Sequence, residues 1–141
     1  MEYNLERFVQ AQERSYADAL AEIRSGRKTS HWMWYVFPQI RGLGSSAMSK
    51  MYAIQNLEEA KAYLEHPVLG ARLHEITNAL LDLEDRDAYA IFGSPDDHKL
   101  KSCMTLFHCA DGTPGNPFEM VILEFFDGGF DAVTWGKIGW L

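Results

Sequence analysis

One short helix has its complete pattern, from start to end, in the stretch Asn116-Pro117-Phe118-Glu119-Met120-Val121-Ile122-Leu123-Glu124-Phe125-Phe126-Asp127-Gly128-Gly129. Its asparagine, followed three residues later by a glutamate, forms a capping box, and the proline between them suits the first helical position. The apolar residues that follow recur at helical spacing, and two glycines end the pattern. The stretch therefore predicts a helix that buries one face against the rest of the protein.

Similar start and stop signals recur along most of the chain. Asn56 with Glu59 predicts a second capping box, and Pro67 suits the first turn of the helix after it. Ser94 before Pro95 predicts a serine N-cap with proline at the first helical position. Helices are predicted over residues 5–23, 57–65, 67–83, 95–111, 117–126 and 132–135, with Asp131 as the cap of the last one and a further short helix capped at Ser45-Ser46.

The remaining stretches give little sign of β-structure. Only residues 32–37 and 88–92 have a pattern that suits extended chain, and strands flanked by hairpin turns are missing. The sequence therefore predicts an all-α fold, a single compact globule of about five to seven helices with short loops. A length of 141 residues suits a single domain covering residues 1–141.

The composition narrows the class of protein. With 47% hydrophobic and 13% aromatic residues, the chain is too apolar for a disordered protein. A net charge of −7 argues against nucleic acid or an anionic membrane as a partner, because both attract basic proteins. Cys103 and Cys109 fit reduced thiols, and no signal peptide or membrane-spanning run is evident, so we expect a cytoplasmic protein.

Several long blocks of the sequence match a known pattern. They are Ser30-His31-Trp32-Met33-Trp34-Tyr35-Val36-Phe37-Pro38-Gln39, Gly42-Leu43-Gly44, Ser46-Ala47-Met48-Ser49, His66-Pro67, and Ile91-Phe92-Gly93-Ser94-Pro95-Asp96-Asp97 with Lys99-Leu100. In these blocks, and over almost its whole length, the chain resembles the bacterial family called domain of unknown function 1810. The resemblance implies a compact all-α fold and carries no established activity.

The first of these blocks is an aromatic run edged by polar groups. Bulky aromatic side chains most often fill a core. An apolar wall with a few polar groups beside it is also the usual composition of a small-molecule site, so both interpretations of the tryptophans stay open. The predicted ligand-binding residues are Trp32, Trp34, Gln39 and Arg41.

A second group of polar residues lies at the predicted helix start near residue 96. A lysine beside acids can hold a ligand or assist proton transfer, although a capped helix start with surface charges is the simpler interpretation. The candidate catalytic residues are His31, Asp97 and Lys99. The five histidines lack the spacing of a metal site, so we predict neither a metal nor a cofactor.

Two functions fit these observations. The first is a pocket for a small nucleotide- or sugar-like molecule stacked on tryptophan, with metal-independent acid–base hydrolysis as its catalytic form. The second is a non-catalytic protein–protein interaction module in which the aromatic run is core. We expect a monomer or a small homo-oligomer, in which Trp135 and Trp140 would pack on a second copy.

Overall fold

Helices make up most of the structure, a computed structural model that describes residues 3–139. Nine helices lie in this range: α1 (Glu6–Arg24), α2 (Met33–Val36), α3 (Ala47–Met51), α4 (Leu57–Glu65), α5 (Leu69–Leu81), α6 (Ala88–Phe92), α7 (Asp96–Asp111), α8 (Pro117–Phe125) and α9 (Ala132–Lys137). Between residues 3 and 139 there is no named strand, only an isolated parallel bridge between Ile40 and Ile54. The predicted all-α class is confirmed. Trp140 lies outside the described residues.

Five of the helices in this range begin at a side-chain cap. In each, the N-cap oxygen accepts the backbone N–H three residues on, which satisfies a donor that the helix itself leaves free. For Asn116 and the N–H of Glu119 the distance is 2.9 Å, and the carboxylate of Glu119 accepts the N–H of Gly115 at 2.8 Å. The predicted caps at Ser46, Asn56, Asn116 and Asp131 are confirmed, and Asp87 is a fifth.

The predicted start of α7 is wrong by one residue. Its N-cap is Pro95 rather than Ser94, and no side chain caps it. The reason is that backbone carbonyls take the first free donors. The carbonyl of Gly93 accepts the N–H of Asp97 at 2.9 Å, and that of Pro95 accepts the N–H of His98 at 3.0 Å. Ser94, joined to Pro95 by a cis peptide bond, is exposed and caps nothing.

Pro67 also lies outside the helix that it was predicted to open. The N-cap of α5 is Val68, and the helix begins at Leu69. A side chain earlier in the sequence fixes this start, because Nδ1 of His66 accepts the N–H groups of Val68 and Leu69 at 3.1 and 3.2 Å. The turn between α4 and α5 therefore contains the proline.

The two stretches predicted as extended are both helical turns. In α2 the N–H of Val36 donates to the carbonyl of Trp32 at 3.2 Å. In α6 the side chain of Asp87 caps the turn through the N–H of Ala90 at 3.2 Å. Aromatic and β-branched residues favour strands, but here burial of the side chains overrides that local preference. These two turns and other short helices raise the count in residues 3–139 to nine, above the predicted five to seven.

The central helix of the fold, α7, positions the candidate site. It packs against α4, α6, α8 and α9, and its buried side chains, among them Leu100, Cys103 and Phe107, belong to one hydrophobic core cluster. Cys103 and Cys109 are both buried and free, and burial raises the pKa of each thiol, that of Cys109 to about 11. Within residues 3–139, every helix is too short or too polar to cross a membrane.

Candidate functional site

The carboxylate of Glu22 fixes the segment that leads into the aromatic run. Its Oε1 accepts the backbone N–H groups of Thr29 and Ser30 at 2.7 and 2.9 Å and the indole N–H of Trp32 at 3.0 Å, while Oε2 accepts the Ser30 hydroxyl at 2.7 Å. Partial burial acts to raise the pKa of this carboxyl, but the four hydrogen bonds outweigh it and lower the pKa to about 2. Trp32 lies in the core, 1% exposed, with its ring against Phe92.

Two lysines share the carboxylate of Asp96, and we call these three residues the lysine–aspartate cluster. Nζ of Lys28 lies 2.9 Å from Oδ2, and Nζ of Lys99 lies 3.0 Å from Oδ1. Each ammonium also lies over an indole ring, 5.1 Å from the centroid of Trp32 for Lys28 and 3.8 Å from that of Trp34 for Lys99. Partial burial acts to raise the pKa of Asp96, but the hydrogen bonds and charges of both lysines lower it. The cluster is therefore charged.

Trp34 and Lys99 border a cleft of about 350 Å³, which we call the Trp34 cleft. Three chain segments meet there: the end of α2 with the loop after it, the first turns of α7, and the start of α9. Trp34, Gln39 and Lys99, which the sequence analysis proposed as site residues from two separate stretches, line this cleft together. The other lining residues are Leu43, Pro95, His98, Ser102, Asp131 and Val133.

The polar side chains of the Trp34 cleft differ in how many hydrogen bonds they make to the rest of the protein. Oδ2 of Asp131 accepts the N–H of Thr134 at 3.1 Å and the Ser102 hydroxyl at 3.2 Å, and it also accepts the Thr134 hydroxyl. The side-chain amide of Gln39, by contrast, has no hydrogen-bond partner within residues 3–139, although its backbone carbonyl accepts the N–H of Ile54 at 2.8 Å. The described residues contain no group of three or more His, Cys, Asp or Glu side chains arranged to hold a metal ion.

Three other predicted site residues lie away from the Trp34 cleft. His31 is exposed, and its backbone carbonyl lies 3.4 Å from the hydroxyl of Tyr35. Arg41 is exposed between two open clefts of about 540 and 530 Å³. Asp97 borders a further cleft of about 490 Å³, and its Oδ1 accepts the N–H of His98 at 2.9 Å. The roles assigned to these residues from the sequence stay predictions.

The ion pair between Lys99 and Asp96 was not predicted from the sequence. Asp96 lies three residues before Lys99, a spacing that places the two side chains on one helix face, so the pattern contained this pair. Lys28 shares Asp96 with Lys99, and Asp131 lines the same cleft. No local signal joins either residue to Lys99, because both come from distant parts of the chain.

The comparisons with known proteins agree with this fold. A model of the family described as "Protein of unknown function (DUF1810)" matches residues 2–138. The crystal structure of the conserved hypothetical protein Rv1873 from Mycobacterium tuberculosis is 47% identical in sequence, with 95% of each chain covered and a TM-score of 0.91. No curated protein matches the chain. The match over residues 2–138 shows that the chain belongs to the DUF1810 family of proteins of unknown function.

Proposed function

We propose that the Trp34 cleft binds a small molecule with a flat or apolar part that packs on the indole of Trp34. The observation that carries the proposal is the meeting of Trp34, Gln39 and Lys99 in one cleft. These residues come from two stretches far apart in the sequence, and each carries chemistry that suits a ligand. Convergence of an aromatic ring and a few polar groups in one cleft is the usual composition of a small-molecule site.

The size and composition of the cleft support a small ligand. A volume of about 350 Å³ falls within the range of ligand sites, which are mostly apolar with a few placed polar groups. Leu43, Pro95 and Val133 supply apolar wall, and Lys99 and Gln39 supply polar groups. Nucleobases and the apolar faces of sugars pack well on an indole ring, so a nucleotide- or sugar-like molecule suits this wall.

The two tryptophans of the aromatic run differ in a way that favours binding over a purely structural run. Trp32 is 1% exposed and belongs to the core. Trp34 is only partly buried and borders the cleft. In a non-catalytic interaction module, as we defined it from the sequence, both rings would be enclosed in the core. The division of the run into a core face and a cleft face supports a pocket.

We restrict the proposal to binding. Of the three candidate catalytic residues, Lys99 alone is among the described residues that line the Trp34 cleft, and His31 and Asp97 lie elsewhere. Acid–base hydrolysis by His31 therefore stays a separate prediction. It is tested by chromatography of the ligands after incubation with wild type and with His31→Ala.

The test of binding is calorimetric titration of the full chain with adenosine, AMP, glucose and glucose 6-phosphate. We expect at least one of these compounds to bind wild type and to bind Trp34→Leu at least about tenfold more weakly, since base–indole stacking contributes about 1–3 kcal/mol. His31→Ala is the matched control and is expected to bind like wild type. Failure of all four compounds to bind, or equal binding by Trp34→Leu, would overturn the proposal.

A further inference from the structure

We infer that the molecule bound in the Trp34 cleft carries an anionic oxygen group, a phosphate or a carboxylate, that accepts hydrogen bonds from Lys99 and Gln39. The inference rests on the proposed function of the cleft and names the chemical class of its ligand. Three features carry it: an ammonium with a donor to spare, a second ammonium that shares the carboxylate paired with the first, and an amide without a partner.

The ammonium of Lys99 has a donor left for a ligand. An ammonium has three N–H donors and no acceptor. One donates to Asp96 at 3.0 Å, and the only other contact of this ammonium among residues 3–139 is the ring of Trp34, at 3.8 Å. The side chain is 19% exposed and lines the cleft, so the remaining donor is within reach of a bound molecule.

Asp96 does not cancel the charge of Lys99, because it is shared with Lys28. Lys28 is the buried member of the cluster, 7% exposed, and it also donates to the carbonyl of Ser30 at 2.5 Å. Glu22 is also charged, but it bonds to the indole N–H of Trp32, the ring beside Lys28, and not to the ring beside Lys99. Two ammonium groups around one carboxylate leave the cluster with an excess positive charge, and a partly buried charge is screened less than an exposed one.

The donors that the cleft offers a ligand come from Lys99 and Gln39. Asp131, the one carboxylate that lines the cleft within residues 3–139, accepts three hydrogen bonds from Ser102 and Thr134, all at Oδ2, so the protein already binds one side of this carboxylate. The amide of Gln39 has two N–H donors and no partner among these residues. A ligand therefore meets free N–H donors on both Lys99 and Gln39. Phosphate and carboxylate groups supply acceptors alone, and their hydrogen bonds to an ammonium are about twice as strong as neutral ones.

The experiment measures the affinity of the full chain for matched neutral and anionic compounds by calorimetry. The pairs are adenosine with AMP, glucose with glucose 6-phosphate, and glucose with glucuronate. We expect the anionic member of a pair to bind at least about tenfold more tightly than the neutral one, as a charge-assisted hydrogen bond implies. A preference for the two phosphates identifies phosphate as the group, and a preference for glucuronate identifies carboxylate.

Three variants test whether Lys99 causes the preference for the anionic compound. Lys99→Met keeps the length of the side chain, removes the charge and is expected to abolish the preference, whereas Lys99→Arg is expected to keep most of it. Lys101→Met, on the same helix but bordering another cleft, is the matched control and is expected to keep the preference of wild type. Circular dichroism checks that each variant is folded.

The outcomes separate this inference from the proposed function. Equal affinity for neutral and anionic members, or a preference that survives in Lys99→Met, overturns the inference and leaves binding in the Trp34 cleft intact. Binding by none of the compounds overturns both.

Discussion

At the scale of single residues, Glu22 shows how one carboxylate organises a segment that has little regular structure of its own. Four donors from Thr29, Ser30 and Trp32 converge on it. A carboxylate that accepts several hydrogen bonds is stabilised in its charged form, which is why its pKa falls to about 2. Glu22 therefore fixes both the entry to the aromatic run and the depth of Trp32 in the core.

Replacing Glu22 by glutamine is expected to lower the free energy of unfolding by about 1–2 kcal/mol at neutral pH, a range reduced for the partial exposure of the group. Glutamine keeps one acceptor oxygen but turns an N–H₂ group toward the donors that the carboxylate accepted. Urea unfolding of Glu22→Gln and of the exposed control Glu84→Gln measures the difference. Equal midpoints for the two variants would show that the donors of residues 29–32 find other partners.

The same carboxylate predicts a pH dependence of stability. Its pKa in the folded protein, about 2, lies below its ordinary value of 4.5. Its contribution is therefore fully present above pH 4.5 and is lost as the pH falls through 2, because the unfolded chain takes up the proton first. We expect the stability difference between wild type and Glu22→Gln to shrink over this window in urea titrations. A difference that is constant with pH would contradict the assignment.

The sequence predicted the residues that line the cleft as ligand-binding groups better than it predicted the residues that surround and position them. Trp34, Gln39 and Lys99 were selectable because residue type alone suggests their chemistry. Lys28 and Asp131 were not, because a lysine before an aromatic run and an aspartate at a helix start have ordinary explanations. Their connection to Lys99 exists only after the chain has folded.

At the scale of secondary-structure elements, the caps differ in how much they contribute. Asn116 is 4% exposed, and besides capping α8 its amide donates to the carbonyl of Thr113 at 2.8 Å and to Nδ1 of His108 at 2.9 Å. Asn56 caps α4 from an exposed position and accepts one further hydrogen bond, from the hydroxyl of Tyr3. The side chain of Asn116 is therefore more deeply buried than that of Asn56 and donates two hydrogen bonds in addition to its cap.

Replacing each of these caps by alanine tests the difference. We expect Asn56→Ala to cost about 1 kcal/mol and Asn116→Ala about 2 kcal/mol, since the second variant also removes the hydrogen bonds that the buried Asn116 amide donates to Thr113 and to the partly buried His108. Urea denaturation gives both changes in the free energy of unfolding, provided that the variants and wild type share the same dependence of that free energy on urea concentration. If Asn116→Ala proved no more costly than Asn56→Ala, the amide network around His108 would not contribute to stability.

Close packing between α4 and α5 gives a second prediction at this scale. A Cβ atom at Gly70 would lie 2.1 Å from the carbonyl oxygen of Leu64, which is backbone and cannot turn aside. Helix propensity favours alanine over glycine by about 1 kcal/mol, but overpacking of this kind costs about 1–3 kcal/mol or more. We expect Gly70→Ala to destabilise the protein by about 2 kcal/mol in thermal or urea unfolding.

The control for Gly70→Ala is Ala71→Ser, an exposed change in the same turn, which is expected to alter stability by less than about 0.5 kcal/mol. A Gly70→Ala variant as stable as wild type, or more stable, would mean that propensity outweighs the contact with Leu64.

The elements divide clearly into those that sequence patterns predict and those that they do not. Amphipathic helices with caps, such as α4 and α8, follow from local signals. The short turns α2 and α6 do not, because their residues favour extended chain locally and become helical only when their side chains are buried together. The starts of α5 and α7 depend on His66 and on backbone carbonyls, which no capping pattern specifies.

At the scale of the whole molecule, one hydrophobic core cluster supports a cleft built from three distant segments. Core residues from helices α1, α2 and α4 to α8 belong to this cluster, and its central helix, α7, also contributes Lys99 to the cleft. Trp135 is partly buried and packs within the chain against Phe130, with ring centroids 4.9 Å apart, and its packing on a second copy stays a prediction. The Trp34 cleft therefore lies on helices that also pack into the core, an arrangement that suits selective binding.

We propose that this protein binds its ligand in the Trp34 cleft, and the most direct test is a nuclear magnetic resonance titration of the ¹⁵N-labelled full chain with adenosine, AMP, glucose and glucose 6-phosphate in turn. We expect the compound that binds to cause its largest chemical-shift changes at the indole N–H of Trp34 and at the amides of Gln39, Lys99 and Val133. Shifts concentrated instead at Arg41, or no saturable shift anywhere, would contradict it.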